Sequence, residues 1–120
     1  MSGSIRAVQS SEDFQSLLAE SETRPVMLLK HSTRCPISSF ANAAFEDYAT
    51  AAASRDIELA RVLVVEDRPV SLEIASTLGV VHQSPQAILL HGKQAVWDDS
   101  HGGITVDALE GAESAVRSGS

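Results

Sequence analysis

Three short apolar runs constrain what this chain can fold into: Val26-Met27-Leu28-Leu29, Val62-Leu63-Val64-Val65 and Ala87-Ile88-Leu89-Leu90. None alternates with polar residues. Each is short for a core helix and apolar on both faces a strand presents, the pattern of central strands covered on both sides. The segments between them carry the other period. Phe14, Leu17 and Leu18 follow Ser10 and Asp13, a capping-box-like start, and predict a helix over 11–21. From Pro36, the apolar positions Ile37, Ala41, Ala44, Phe45, Tyr48 and Ala52 draw one helical face. Pro69 fits the first turn of a further helix, Val70, Ile74 and Leu78 its buried face, and Gly79 its end.

The remaining segments complete an alternating order. Ile5 to Val8 reads as a short leading strand, Lys30 to Arg34 as a polar connection, and 57–65 as the second buried strand. His91-Gly92-Lys93 reads as a hairpin-like turn that returns through Ala95-Val96-Trp97. Thr105 is placed to cap a last helix with the face Leu109, Ala112 and Val116. Strands alternating with helices give a parallel core, and the late hairpin adds an antiparallel edge. Among three-layer α/β folds, an ending of hairpin and then helix narrows the choice to a thioredoxin-like arrangement, a central mixed sheet with helices on both faces. One domain is expected over residues 5–117, with flexible termini at 1–4 and 118–120.

Composition excludes several function classes. The net charge is -7 and the nine basic residues are scattered, so a nucleic-acid partner is not expected. One Trp, one Tyr and three Phe form no stacking platform. No apolar run approaches the roughly 18 residues of a membrane span. Met1 to Ser11 lacks the apolar core of a secretory leader, and one cysteine closes no internal disulfide. Both point to a reducing, cytoplasmic setting. Four His and one Cys without paired spacing do not make a structural zinc site, and no metal is expected.

That single cysteine, Cys35, stands where a buried strand gives way to a helix, in Lys30-His31-Ser32-Thr33-Arg34-Cys35-Pro36-Ile37-Ser38. Chemistry in α/β folds gathers at the C-terminal ends of strands. Free N–H groups of a first helical turn and the positive end of the helix dipole both favour a thiolate. Arg34 is adjacent, and Lys30 and His31 are close in sequence. The bland alternative is a small core cysteine. Its polar neighbours Ser32, Thr33, Arg34 and Ser38 argue against that. Ser38 takes the second place of a Cys-x-x-Cys spacing. A hydroxyl cannot resolve a mixed disulfide, although it can donate a hydrogen bond to a thiolate, so any redox cycle here is monothiol.

Other residues invite two readings. His31 and His82 could each tune the thiol or serve as structural hydrogen-bonding groups. His91 reads as a turn residue and Trp97 as core packing. Glu66-Asp67-Arg68 reads as a solvated helix start.

Taken together, the Cys35 segment, Arg68-Pro69-Val70-Ser71, Gly79-Val80-Val81-His82-Gln83-Ser84-Pro85-Gln86-Ala87, Val96-Trp97 and Ser100-His101 resemble the YtxJ family. These are monothiol bacilliredoxin-like proteins of the bacillithiol system with a thioredoxin-like fold. The resemblance implies that Cys35 is redox-active and exchanges with proteins that carry bacillithiol as a mixed disulfide; from the segment itself, Thr33, Arg34, Pro36, Ser38 and His31 are expected to line the site or stabilise the thiolate. The resemblance also implies that Ser84-Pro85 is a cis-proline loop facing the cysteine. The backbone of Ser84 would then pair with an extended substrate chain. The sequence departs from the family pattern in two places. Gly102 and Gly103 follow His101 where an aromatic residue is frequent, which bears on how His101 is positioned. Arg34 stands where threonine is frequent, and its charge would add to thiolate stabilisation.

The function expected is monothiol thiol–disulfide exchange that removes bacillithiol from protein mixed disulfides. No bound cofactor is expected, and bacillithiol is the expected co-substrate. The partners are a low-molecular-weight thiol, S-thiolated client proteins and a reductase. Two rivals stand beside it. One is a non-catalytic thioredoxin-fold binding or stress-adaptor module. The other is peroxide reduction through a Cys35 sulfenic acid.

Overall fold

The computed structural model describes residues 4–119. In chain order the elements are β1 (Arg6–Ala7), α1 (Ser11–Glu20), β2 (Val26–His31), α2 (Pro36–Ala52), β3 (Glu58–Leu63), α3 (Arg68–Leu78), β4 (Gln86–His91), β5 (Gln94–Ser100) and α4 (Val106–Gly119), with a 3-10 turn at His101–Gly103. The five strands form one sheet in the order β1-β3-β2-β4-β5. β1 and β2 run parallel to β3, whereas β4 is antiparallel to both β2 and β5. The expected mixed sheet with helices on both faces is what the chain forms. Among the described residues, no helix is long and apolar enough to cross a membrane.

The continuous apolar runs are explained by the two cores. Met27 and Leu29 of β2 pack with Ala41, Phe45, Tyr48 and Leu109 on the α2 and α4 side. Val26 and Leu28 pack with Phe14, Leu17, Val70 and Ile74 on the α1 and α3 side. Each fully buried apolar side chain of this size contributes roughly 1.5–3 kcal/mol, and β2 is buried along its whole length. Tyr48 adds a polar tie between α2 and α4 by donating its hydroxyl proton to the buried Glu113 Oε1 at 2.8 Å.

The helix boundaries follow their caps. Ser10 Oγ accepts from the Asp13 N–H at 3.1 Å, and the Thr105 hydroxyl accepts from the Ala108 N–H at 3.1 Å. Gly79 closes α3 in the left-handed region at φ 67°. The hairpin turns on Gly92 and Lys93, at φ 63° and 64°, the paired positive φ of a type I′ turn. Its two N–H groups are held by Ser21 at the end of α1.

Several expectations need correction. Lys30 and His31 belong to β2, not to a polar connection, because backbone pairing with β3 continues through Lys30↔Val62 and His31↔Leu63. Ile37 is 51% exposed and leaves the buried face of α2, and Ser38 is buried in its place. β3 ends at Leu63; Val64 and Val65 lie in the turn beyond. α4 continues through residues 118 and 119, where a tail was expected, while residues 1–3 and 120 lie outside the described ones.

Candidate active site around Cys35

Cys35 is the N-cap of α2, with extended backbone (φ -116°, ψ 123°) and Pro36 in the first helical position. Pro36 lacks an N–H that would have had no partner inside the helix anyway. The Cys35 N–H donates to Ser32 C=O at 3.4 Å, and its own carbonyl accepts from the Ser39 N–H at 3.1 Å. The thiol is free, half-buried, and makes no capping hydrogen bond. It therefore sits at the positive end of a 17-residue helix.

Ser38 does something other than touch the thiol. Its oxygen accepts from the Ser32 N–H at 2.9 Å and lies 2.7 Å from His31 Nδ1. With the Ser32 N–H on one lone pair of that oxygen, the hydroxyl can still donate to Nδ1 or accept from it. All three residues are buried. Burial first, and then the Arg61 charge, holds His31 below the ordinary histidine range, consistent with a neutral ring. The hydroxyl expected to stabilise the thiolate thus ties the first turn of α2 to the end of β2 and fixes the connection that carries Cys35.

The remaining flanking residues separate. Thr33 is exposed, with its hydroxyl 3.5 Å from Glu66 Oε2. Arg34 is exposed; its backbone N–H donates to Ser32 Oγ at 3.3 Å, and its side chain has no hydrogen-bond or ion-pair partner among the described residues. Lys30, expected to lend positive charge to the thiol, points to the opposite face of the sheet. It shares that face with Val26 and Leu28, and its Nζ lies 2.9 Å from His82 Nδ1.

The Ser84–Pro85 peptide is cis. The antiparallel ladder of β2 and β4 runs to Lys30 opposite Gln86. The next residues along the two strands are His31 and Pro85, so the loop flanks the strand end from which the Cys35 connection departs. Pro85 C=O accepts from the His101 N–H at 3.0 Å. His101 itself is exposed at φ 55°. Gly103 lies against the Asp99 carboxylate, which occupies the space a Cβ would need. A Cβ at Gly102 would meet nothing within 4 Å, so only Gly103 is tied to its neighbour's side chain. Ser84 Oγ is buried without a protein partner.

Sequence reasoning missed three features here: the Lys30–His82 contact, the His101 backbone anchor, and the apolar rim. Ile37 and Phe40 (78% exposed) line a cleft of about 510 Å³ with His101, Ile104 and Val106. Phe40 had one legible signal, an aromatic residue off the apolar face of an amphipathic helix. Trp97 packs against the α2 and α4 core, as expected, and His91 ends β4 rather than lying in the turn.

A sole thiol at a helix N-terminus, on a thioredoxin fold with a cis-proline at the neighbouring strand, defines a thiol–disulfide redox protein. The chain belongs to the monothiol bacilliredoxin family: the family model described as Monothiol bacilliredoxin BrxC matches residues 6–109. It is 33% identical to a solved protein proposed to be an oxidoreductase with a thioredoxin fold (TM-score 0.80, covering 91% of this chain and 93% of that one). More distant likenesses show the fold alone. Thioredoxin from Malassezia sympodialis is 16% identical, with TM-score 0.75 and 93% and 90% of the two chains covered. Spinach chloroplast thioredoxin f, short form, is 17% identical, with TM-score 0.75 and coverage of 97% and 96%.

Proposed function

We propose that this chain removes bacillithiol from protein mixed disulfides, with Cys35 as the only reacting group of the protein. The observation that carries this reading is a free, half-buried thiol at the α2 N-terminus, with the resolving position filled by a buried serine already committed to His31. In the first step the Cys35 thiolate attacks the bacillithiol sulfur of the client disulfide. That S–S bond breaks, the client leaves as a thiolate and takes up a proton, and a Cys35–bacillithiol disulfide forms. In the second step a thiolate from another bacillithiol or from a reductase attacks the bacillithiol sulfur and releases Cys35. Oxidised bacillithiol, or a mixed disulfide with the reductase, carries the oxidising equivalents away. No bound cofactor or metal takes part, and a reducing cytoplasm supplies the thiols.

We assign client pairing to the backbone of Ser84, in the loop beside the end of β2. The exposed Ile37 and Val81 would flank an extended client chain. Thr33, Arg34 and Pro36 are the exposed residues flanking Cys35.

Intact-mass analysis tests this reading. The protein is mixed with a bacillithiolated client, and separately with oxidised bacillithiol and glutathione disulfide. The expected result is transfer of one bacillithiol to Cys35, faster than glutathione, and none in Cys35→Ser. Parental activity in Cys35→Ser would overturn the reading and favour a binding module.

A further inference from the structure

Lys30 is the one buried lysine among the described residues, fully enclosed on the central strand, and no carboxylate pairs with it. Its Nζ has one hydrogen-bond partner, His82 Nδ1, at 2.9 Å. His82 lies in the loop from Gly79 to Pro85 that joins α3 to β4. The inner side of this loop is also held by Gln86 Nε2, which donates to Val81 C=O at 3.1 Å. An ammonium can only donate, so His82 must accept through an unprotonated Nδ1. A protonated imidazole donates from both nitrogens. Protonation therefore replaces the bond with a part-buried contact of two cations, which repel each other.

We propose that Lys30 and His82 form a proton-sensitive latch that holds the Ser84–Pro85 loop against the end of β2 and releases it in acid, so that exchange at Cys35 depends on pH through the loop as well as through the thiol.

The surroundings point the same way. The charged groups that act on His82 are Lys30 from β2 and Arg68 from α3, both positive. Gln86 of β4 and Ser71 of α3, on the same face, are neutral and buried. Burial, then Lys30, then Arg68 keep His82 below the ordinary histidine range, so the latch is closed at neutral pH. Loss of the lysine proton in base leaves an amine that still donates an N–H to Nδ1, so opening belongs to the acid side. Lys30 and His82 are positioning residues, since neither touches the reacting sulfur.

The functional consequence rests on exchange at Cys35, whereas the latch itself is read without activity. The test is amide hydrogen exchange of residues 79–85 from pH 5 to 8, corrected for intrinsic rates, in the parent, Lys30→Met, His82→Leu and His82→Asn. The expected result is at least a tenfold loss of protection in the parent as pH falls. Low, pH-independent protection is expected in Lys30→Met and His82→Leu. In His82→Asn, whose carbonyl replaces Nδ1 without titrating, protection should persist throughout. A second readout is the rate of exchange with a peptide mixed disulfide divided by the rate of iodoacetamide alkylation, which cancels the ionisation of the thiol. This ratio should fall in acid in the parent only. Parental protection unchanged by pH, or retained in Lys30→Met, would overturn the latch. A parent that alkylates but does not exchange would overturn the exchange reading while the amide data still decide the latch.

Discussion

Lys30 and His31 leave the same end of β2 in opposite directions, and each finds one side-chain partner. His31 faces α2 and meets the Ser38 hydroxyl; Lys30 faces α1 and α3 and meets His82. One contact fixes the helix that carries Cys35, and the other fixes the loop that carries Ser84 and Pro85. The partners differ in what they tolerate. A hydroxyl donates or accepts, so the His31–Ser38 bond survives either state of the ring. An ammonium only donates, so the Lys30–His82 bond exists in one protonation state of the histidine. Two neighbouring residues thus give the site a rigid side and a titratable side.

The largest effect that can break this comparison is expected at Lys30. Burial lowers its pKa from 10.5 to about 8, which costs the fold on the order of 3 kcal/mol at neutral pH. Lys30→Met removes the charge and keeps an unbranched apolar stem. Urea denaturation at pH 7 should find the variant more stable by roughly 2–3 kcal/mol. The sign with pH follows from the depressed value. Between about 8 and 10.5 the unfolded chain holds a proton that the folded chain has lost. Raising pH through that window stabilises the parent and not the variant, and the gap between them closes. Greater global stability together with a looser 79–85 loop would separate a positioning lysine from an ordinary structural one. A destabilised Lys30→Met would mean that the pairing outweighs the buried charge.

A smaller effect is expected on the rigid side. Ser38→Ala leaves the Ser32 N–H and His31 Nδ1 buried without partners. Unsatisfied buried groups of this kind cost about 1–3 kcal/mol, so Ser38→Ala should lose about 2 kcal/mol in the same denaturation measurement. A loss below 0.5 kcal/mol, as an order-of-magnitude threshold, would show that solvent or a shifted His31 replaces the hydroxyl.

The asymmetry between the two sides also explains what the sequence made legible. Apolar runs and helical periods are repeated signals, so the strand order and the helices could be read from Val26–Leu29, Ala87–Leu90 and the spacing along α2. The site was legible as far as Cys35, because a thiol at a strand-to-helix junction is a local pattern. Polar residues buried against distant partners leave no periodic trace. Lys30 and His31 looked like the start of a loop because polarity usually marks one, yet pairing with β3, and for Lys30 with β4 as well, carried them into the sheet. Ser38 looked like a thiolate donor because it is near Cys35 in sequence, whereas its hydroxyl is turned toward His31. Lys30 and His82 are separated by 52 positions, and only the sheet register brings them together.

Thr33 supplies the smallest effect and the sharpest control. It stands two residues before Cys35, as Ser38 stands three after, and both carry a hydroxyl near the thiol in sequence. Thr33 is exposed, and its contact with Glu66 is long, at 3.5 Å. Water replaces such a contact at little cost, so Thr33→Ala should change stability by less than about 0.5 kcal/mol and leave the exchange rate of Cys35 within about twofold, since 1.4 kcal/mol is needed for a factor of ten. If burial decides which hydroxyl matters, Ser38→Ala and Thr33→Ala must differ clearly under identical conditions. Equal losses would mean that nearness to Cys35, rather than the tie between β2 and α2, sets the cost. A tenfold fall in exchange rate in Thr33→Ala without loss of stability would place Thr33 in contact with the reacting disulfide and move the working side of the thiol toward the β3–α3 turn.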